Sequence, residues 1–171
     1  ILGEEARDEA LREYFEEWQF KHPKDDDFFR IMERVSGLEL DWYQQYMVHT
    51  TKPMDYAIDS VFDNANQTTV VLKRIEPMPM PIDLLITTKD EKKLWYHIPL
   101  RIMRGHKSIV PFEQKYDQVN LLDDWPWTHP EYRLEIPIGL NEIESILIDP
   151  RKQTIDWERS NNIWPMKESD K

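Results

Sequence analysis

Imidazole is a common zinc ligand, so the five histidines are the first candidates for chemistry in this chain. They lie at positions 22, 49, 97, 106 and 129. A helical zinc site places two histidines one turn apart, at i and i+4, so that both imidazoles reach one metal ion. The closest pair, His97 and His106, is nine positions apart. We therefore expect no catalytic residue, metal ligand or bound cofactor in this chain.

Clusters of acidic residues are the second candidates. The run Asp25 to Asp27 lacks the alternating oxygen ligands, central glycine and terminal glutamate of a calcium loop. Asp123 with Asp124, and Glu113 with Asp117, could in principle form acid–base pairs. With 33 acidic residues in 171, however, neighbouring carboxylates on exposed loops are expected by chance. We interpret these clusters as helix capping and solvated loops.

The element Trp125-Pro126-Trp127 places two indole rings close together. If both rings were exposed and coplanar, they could hold a glycan or an extended peptide. Burial of the two rings, against a sheet or at a joint between domains, is the alternative that we favour.

Charge and composition argue against several classes of partner and of functional site. The net charge of -11 argues against a nucleic-acid or membrane-surface partner, because such binding needs clustered Lys and Arg. The chain has no cysteine, so disulfides and thiolate chemistry are excluded. Its four glycines are too far apart for a phosphate-binding loop. No apolar run approaches the roughly 18 residues that cross a bilayer.

The hydrophobic pattern predicts three helices before residue 53. Apolar residues recur at three- and four-residue steps from Glu4 to about Lys21, where His22-Pro23 ends the pattern. The acidic run at 25–27 can cap a second helix, which Gly37 stops. A third pattern starts at Leu38 and ends near Pro53.

After Pro53 the period changes to two, which predicts strands. The expected strands form two hairpins and three further short runs, with turns at 63–67 and 89–92 and no element assigned to 103–130. The predicted fold class is therefore α+β: about three helices followed by an antiparallel sandwich of about seven strands. The predicted parts are a helical segment at 1–52, a β-sandwich at 53–158 and a polar tail at 159–171, whose last residues are expected to fray. The strands are expected around the following residues: 56–62, 69–75, 82–86, 94–98, 132–136, 146–148 and 155–157.

Several segments of the chain resemble the aminopeptidase N type of zinc metallopeptidase. The likeness is to the end of the helical catalytic domain and the β-sandwich that follows it, in the branch common in Bacteroidetes-type bacteria. It covers most of the chain, with matching segments in the family's order. The segments are Trp18 to Pro23 (WQFKHP), Phe28 to Trp42, Pro79 to Asp83 (PMPID), Ile98 to Leu100, Trp125 to Pro130 (WPWTHP) and Ile146 to Pro150 (ILIDP).

This resemblance implies that the chain is a non-catalytic, C-terminal fragment of a longer protein. In the family, a zinc-activated water removes N-terminal residues from peptides. The zinc ligands and the catalytic side chains lie upstream of the segments matched here. The resemblance therefore implies zinc and peptide substrates for the longer protein only, and the upstream catalytic domain as the partner of this chain.

The aromatic side chains at helical spacing are the expected contacts with that upstream domain. Without their partner they would leave an apolar patch, so self-association of the isolated chain is expected.

Two alternative functions stay open: an accessory sandwich that binds a glycan or peptide through Trp125 and Trp127, and an unrelated hydrolase with two buried carboxylates facing one cleft. The predicted packing residues are Trp18, Trp42, Tyr46, Trp125 and Trp127.

Overall fold

A computed structural model describes residues 1–166 of the chain. Four α-helices and eight strands lie in this range, and the strands form two sheets, so the predicted α+β class is confirmed. The helices are α1 (Glu4–Trp18), α2 (Asp25–Ser36), α3 (Asp41–Met47) and α4 (Val110–Glu113). The strands are β1 (Tyr56–Asn64), β2 (Gln67–Arg74), β3 (Ile82–Thr88), β4 (Lys93–Ile98), β5 (Gln118–Leu121), β6 (Glu131–Ile136), β7 (Ile143–Ile148) and β8 (Ile163–Trp164).

Helix α2 follows its sequence signals closely. The acidic run occupies the first turn, where the helix dipole favours negative charge, rather than the N-cap position itself, which is Lys24. The carboxylate of Asp27 accepts a hydrogen bond from the Lys24 backbone N–H at 2.9 Å. At the other end Gly37 has φ of +70° and donates its N–H to the Glu33 carbonyl, which ends the helix.

The other two N-terminal helices are shorter than predicted. Helix α1 ends at Trp18, before the proline, and Phe20 has a positive φ of 64°. Helix α3 begins at Asp41 instead of Leu38, because the linker before it makes other bonds. In that linker Glu39 donates its backbone N–H to the Met103 carbonyl at 3.0 Å. Apolar spacing alone could not indicate that bond.

The smaller sheet has the order β1-β2-β6 and is antiparallel throughout. Its first hairpin was predicted, and the turn residues Ala65 and Asn66 both have positive φ, as two-residue hairpin loops require.

The larger sheet has the order β5-β4-β3-β7-β8. The β3–β4 hairpin was predicted, with Asp83 opposite His97 in register. Strand β5, however, pairs with β4 in parallel, so the expectation of a wholly antiparallel sandwich is wrong at this edge. Parallel neighbours need a long crossover connection, and residues 99–117 supply it.

Two predictions near the C-terminus differ from the structure. The strand expected at 155–157 is absent: only an isolated bridge joins Asp156 to Met54, and Trp157 is 82% exposed. The predicted polar tail from 159 instead contains a 3-10 turn at Arg159–Asn162 and strand β8, which pairs with β7. Half-buried Trp164 packs against the core, which favours this pairing. The predicted fraying at 167–171 lies outside the described residues.

One hydrophobic core joins the helices to both sheets. Met32 of α2, Leu72 of β2 and Leu84 of β3 belong to the same cluster of buried side chains. The change of period at Pro53 therefore separates two kinds of secondary structure that share a core.

Candidate functional site

The three predicted packing residues of the helical segment have different surroundings. Trp42 is buried, and its indole N–H donates to the Glu39 carbonyl at 2.9 Å. Tyr46 is half-buried, with the Lys52 ammonium 5.1 Å from its ring centroid. Trp18 is half-buried, and its indole nitrogen has no hydrogen-bond partner within residues 1–166. Trp42 is therefore buried by contacts within this chain.

The structure also separates Trp125 from Trp127. Trp125 is 1% exposed, donates its indole N–H to the His129 carbonyl at 2.9 Å and packs edge-on against Tyr56. Trp127 is 41% exposed. A two-ring platform for a glycan needs both indole faces open, and this arrangement opens one ring only.

Helix α1 carries exposed apolar side chains. Its buried face includes Ala10, and Tyr14 meets the Phe28 ring of α2 edge-on at 5.2 Å. Leu11 and Phe15, one turn apart, are 44% and 65% exposed. Phe20, just beyond the helix end, is 99% exposed. We call Leu11, Phe15 and Phe20 the α1 stripe; apolar surface of this kind marks an interaction site more often than a free face.

A groove of about 1040 Å³ runs between the helical segment and the larger sheet. Leu11 of the α1 stripe lies at this groove, together with Met32 and Met47 from the next two helices. The opposite wall includes Asp83 of β3 and Lys107 of the crossover connection. Flexible methionine side chains allow such a wall to fit more than one shape of apolar partner.

A buried charge cluster lies on the outer face of the larger sheet, beside this groove. Asp83 accepts hydrogen bonds from His97 Nδ1 at 2.7 Å and from Lys107 Nζ at 2.5 Å. All three side chains are almost fully buried. An ionised carboxylate can only accept hydrogen bonds, so Nδ1 of His97 carries the proton and Nε2 is the unprotonated nitrogen. That Nε2 is buried and has no hydrogen-bond partner within residues 1–166.

The pKa values of Asp83 and His97 are both below their ordinary values, for different reasons. Burial would raise the pKa of Asp83, but the hydrogen bond from His97 and the charge of Lys107 outweigh it and hold that pKa below its ordinary value. Burial lowers the pKa of His97, and the nearby Asp83 carboxylate offsets this only in part. At neutral pH the cluster therefore holds one negative carboxylate, one ammonium and a neutral imidazole.

An aromatic stack covers the same face of the sheet. The centroid of the Trp95 ring is 4.1 Å from that of Phe112 and 5.7 Å from that of His97, and all three rings are nearly parallel. The Lys107 ammonium is 5.4 Å from the Trp95 ring and 5.2 Å from the Phe112 ring. Cation–π attraction and the Asp83 carboxylate thus hold the same ammonium.

Sequence reasoning did not identify this cluster. One signal could have found half of it: a hairpin turning at 89–92 places Asp83 opposite His97, both on the face away from the core. The third member could not be found in this way, because Lys107 comes from the crossover connection to which no element had been assigned. Its position depends on the parallel pairing of β5.

Two further acidic residues, Asp117 and Asp149, are engaged in local hydrogen bonds. The Asp117 carboxylate accepts from the Lys93 backbone N–H at 2.7 Å. Asp149, which is buried, and Asp83, whose side chain is 11% exposed, both line the groove, as the hydrolase interpretation requires. Yet Asp149 accepts bonds from the Gln153 and Thr154 backbones and from Arg159, so each of its oxygens is already occupied. The arrangement fixes loops rather than leaving a free acid–base pair.

The histidines do not assemble into a recognisable metal centre in the described part of the chain. Within residues 1–166 no group of three or more His, Asp or Glu side chains is placed to hold a metal ion. The rings of His97 and His106 are 6.5 Å apart, and each Nδ1 bonds a protein oxygen.

No protein-family model matches the chain, and no curated protein matches it. Among residues 1–166, no helix is both long and apolar enough to span a membrane.

Proposed function

We propose that this chain is the non-catalytic C-terminal part of a zinc aminopeptidase-like protein. Its task is structural: it packs against the catalytic domain that precedes it. The ordered resemblance from Trp18 to Pro150 supports the family, and the α+β architecture agrees with helices that pass into a sandwich. Zinc and the peptide substrate belong to the upstream domain in this proposal, so the chain alone carries out no reaction.

The α1 stripe is the observation that carries this proposal. Phe15 and Phe20 expose most of their side chains. By contrast, Tyr14 on the same helix packs against Phe28 of α2. Removing such side chains from water contributes about 25 cal/mol per Å² of apolar surface to association, against which the entropic cost of binding must be set. A preceding helical domain that covers the stripe and enters the adjacent groove would gain this free energy. Self-association of the isolated chain through the same surface stays a prediction.

The test uses the polypeptide that precedes this sequence in the longer protein, produced separately. We expect the two parts to bind, and the double substitution Leu11→Glu with Phe15→Glu to weaken the affinity at least tenfold, because two charges would enter an apolar contact. Isothermal titration calorimetry measures this affinity directly.

Phe62→Glu is the matched control. Phe62 is 44% exposed, as Leu11 is, but belongs to β1 and not to the α1 stripe, so its substitution is expected to leave the affinity unchanged. Equal losses for both variants, or no binding by the unsubstituted chain, would contradict the docking surface proposed here.

A further inference from the structure

The crossover connection between β4 and β5 covers one face of the larger sheet and contains little regular secondary structure. Residues 99–117 pass over the outer face of the larger sheet and contain only a 3-10 turn and the four-residue helix α4. The side chain of Phe112 stacks on Trp95, and Asp117 pairs with the backbone of Lys93. The first part of the connection is anchored in the core by Leu100 and Met103, which are 1% and 0% exposed. In the part from His106 onwards the ammonium of Lys107 pairs with Asp83, so this pair can hold only that second part on the sheet.

The same connection forms one wall of the groove. Lys107, Ser108, Phe112 and Lys115 all line it. A change in how the connection sits on the sheet would therefore change the width of the groove.

We propose that Asp83, His97 and Lys107 form an acid-sensitive latch, which holds the crossover connection closed while His97 is neutral and releases it when His97 takes up a proton. This device concerns the chain itself and is independent of the proposed aminopeptidase role.

Charge balance explains the response. One carboxylate, Asp83, matches one ammonium, Lys107, while His97 is neutral. A protonated His97 adds a second buried cation against the same carboxylate, and an unmatched buried charge is costly. His106 at 6.5 Å and the guanidinium of Arg151, which lies over Phe112, face the same region and add no negative charge. In the isolated chain the α-amino group of Ile1 also lies near Asp83 and Lys107, but burial and the Lys107 charge lower its pKa, which favours its neutral form.

The sign of the effect follows from the lowered pKa of His97. A histidine that is exposed when the connection opens titrates near its ordinary pKa of about 6.5. The closed form disfavours the proton, so the closed form loses stability as the pH falls below that value. The loss continues down to the pKa of His97 in the closed form.

Hydrogen exchange of single amides tests the latch. The backbone N–H groups of Tyr116 and Asp117 are bonded in the closed form, to the Phe112 and Lys93 carbonyls. Between pH 7 and pH 5, we expect their protection factors, corrected for intrinsic exchange, to fall, by up to tenfold for each unit by which the closed form lowers the pKa of His97. The amides that pair Leu85 with Leu147 are expected to keep their protection.

The variant His97→Gln retains a donor for Asp83 but cannot be charged, so we expect it to abolish the pH dependence. His106→Gln is the matched control and should retain it, as should a chain acetylated at Ile1. The latch is overturned if His97→Gln shows the same fall, if the Leu85 and Leu147 amides lose protection equally, or if the unsubstituted chain shows no fall. Should His97→Gln not fold, NMR titration of the His97 imidazole decides: its midpoint must coincide with the loss of protection at Tyr116.

Discussion

At the residue scale, the stability of the outer sheet face depends on a charge pair that water scarcely reaches. Lys107 and Asp83 are both buried, and the ammonium has no other anionic partner among the hydrogen bonds and ion pairs of residues 1–166. Breaking a buried pair by removing one partner leaves an uncompensated charge, which costs far more than breaking an exposed pair.

We therefore expect Asp83→Asn to lower the free energy of unfolding by about 3–5 kcal/mol, because the Lys107 charge stays buried without its carboxylate. Urea denaturation at pH 7 measures the change. Asp90→Asn is the control, since Asp90 pairs with Lys92 on the surface and its loss should matter far less. Equal effects of the two substitutions would show that burial does not strengthen the Asp83 pair.

At the element scale, local signals account for the elements that were predicted correctly. Helix α2 has its acidic first turn and Gly37, and the β1–β2 hairpin has turn residues that tolerate positive φ. Strand β5 was missed because its pairing is parallel and depends on a partner more than 20 residues earlier. The strand expected around Trp157 failed for a related reason: alternation cannot show that a segment has no neighbouring strand to pair with.

The same difference between local sequence signals and long-range contacts applies to the candidate site. Asp83 and His97 were predictable as neighbours from their hairpin, but Lys107 was not, because a crossover connection has no periodic pattern. The burial of Trp125 and the exposure of Trp127, two positions later, also depend on tertiary contacts.

Gly37 provides the test at this scale. Its φ of +70° is in the left-handed region, and a Cβ there would meet no atom within 4 Å, so a substitution introduces backbone strain alone. Gly37→Ala is expected to cost about 1–2 kcal/mol of unfolding free energy. Gly37→Asn is expected to cost clearly less, because Asn adopts this conformation more readily. Thermal and urea denaturation of both variants measures the difference, and equal costs would contradict strain as the cause.

At the scale of the whole molecule, Trp125 connects the two sheets. It forms a bridge to Leu100, next to the end of β4, while its ring contacts Tyr56 of β1 and Tyr132 of β6. The two sheets and the helices thus fold around one core, and this indole lies between the sheets.

Trp125→Ala is therefore expected to lower the free energy of unfolding by about 3–5 kcal/mol, as for other large cavities. Trp127→Ala removes a ring that is 41% exposed and is expected to change it by about 0.5 kcal/mol or less. Chemical denaturation monitored by circular dichroism compares the two. A larger loss of unfolding free energy for Trp127→Ala than for Trp125→Ala would contradict the role of Trp125 as the ring that connects the two sheets.

The central claim is that this chain is the non-catalytic part of a zinc aminopeptidase-like protein. The most direct measurement assays zinc content and the cleavage of aminoacyl arylamides, in the chain and in the longer protein that contains it. Our account predicts stoichiometric zinc and turnover in the longer protein, and neither in the chain. Stoichiometric zinc or turnover in the chain alone would contradict it.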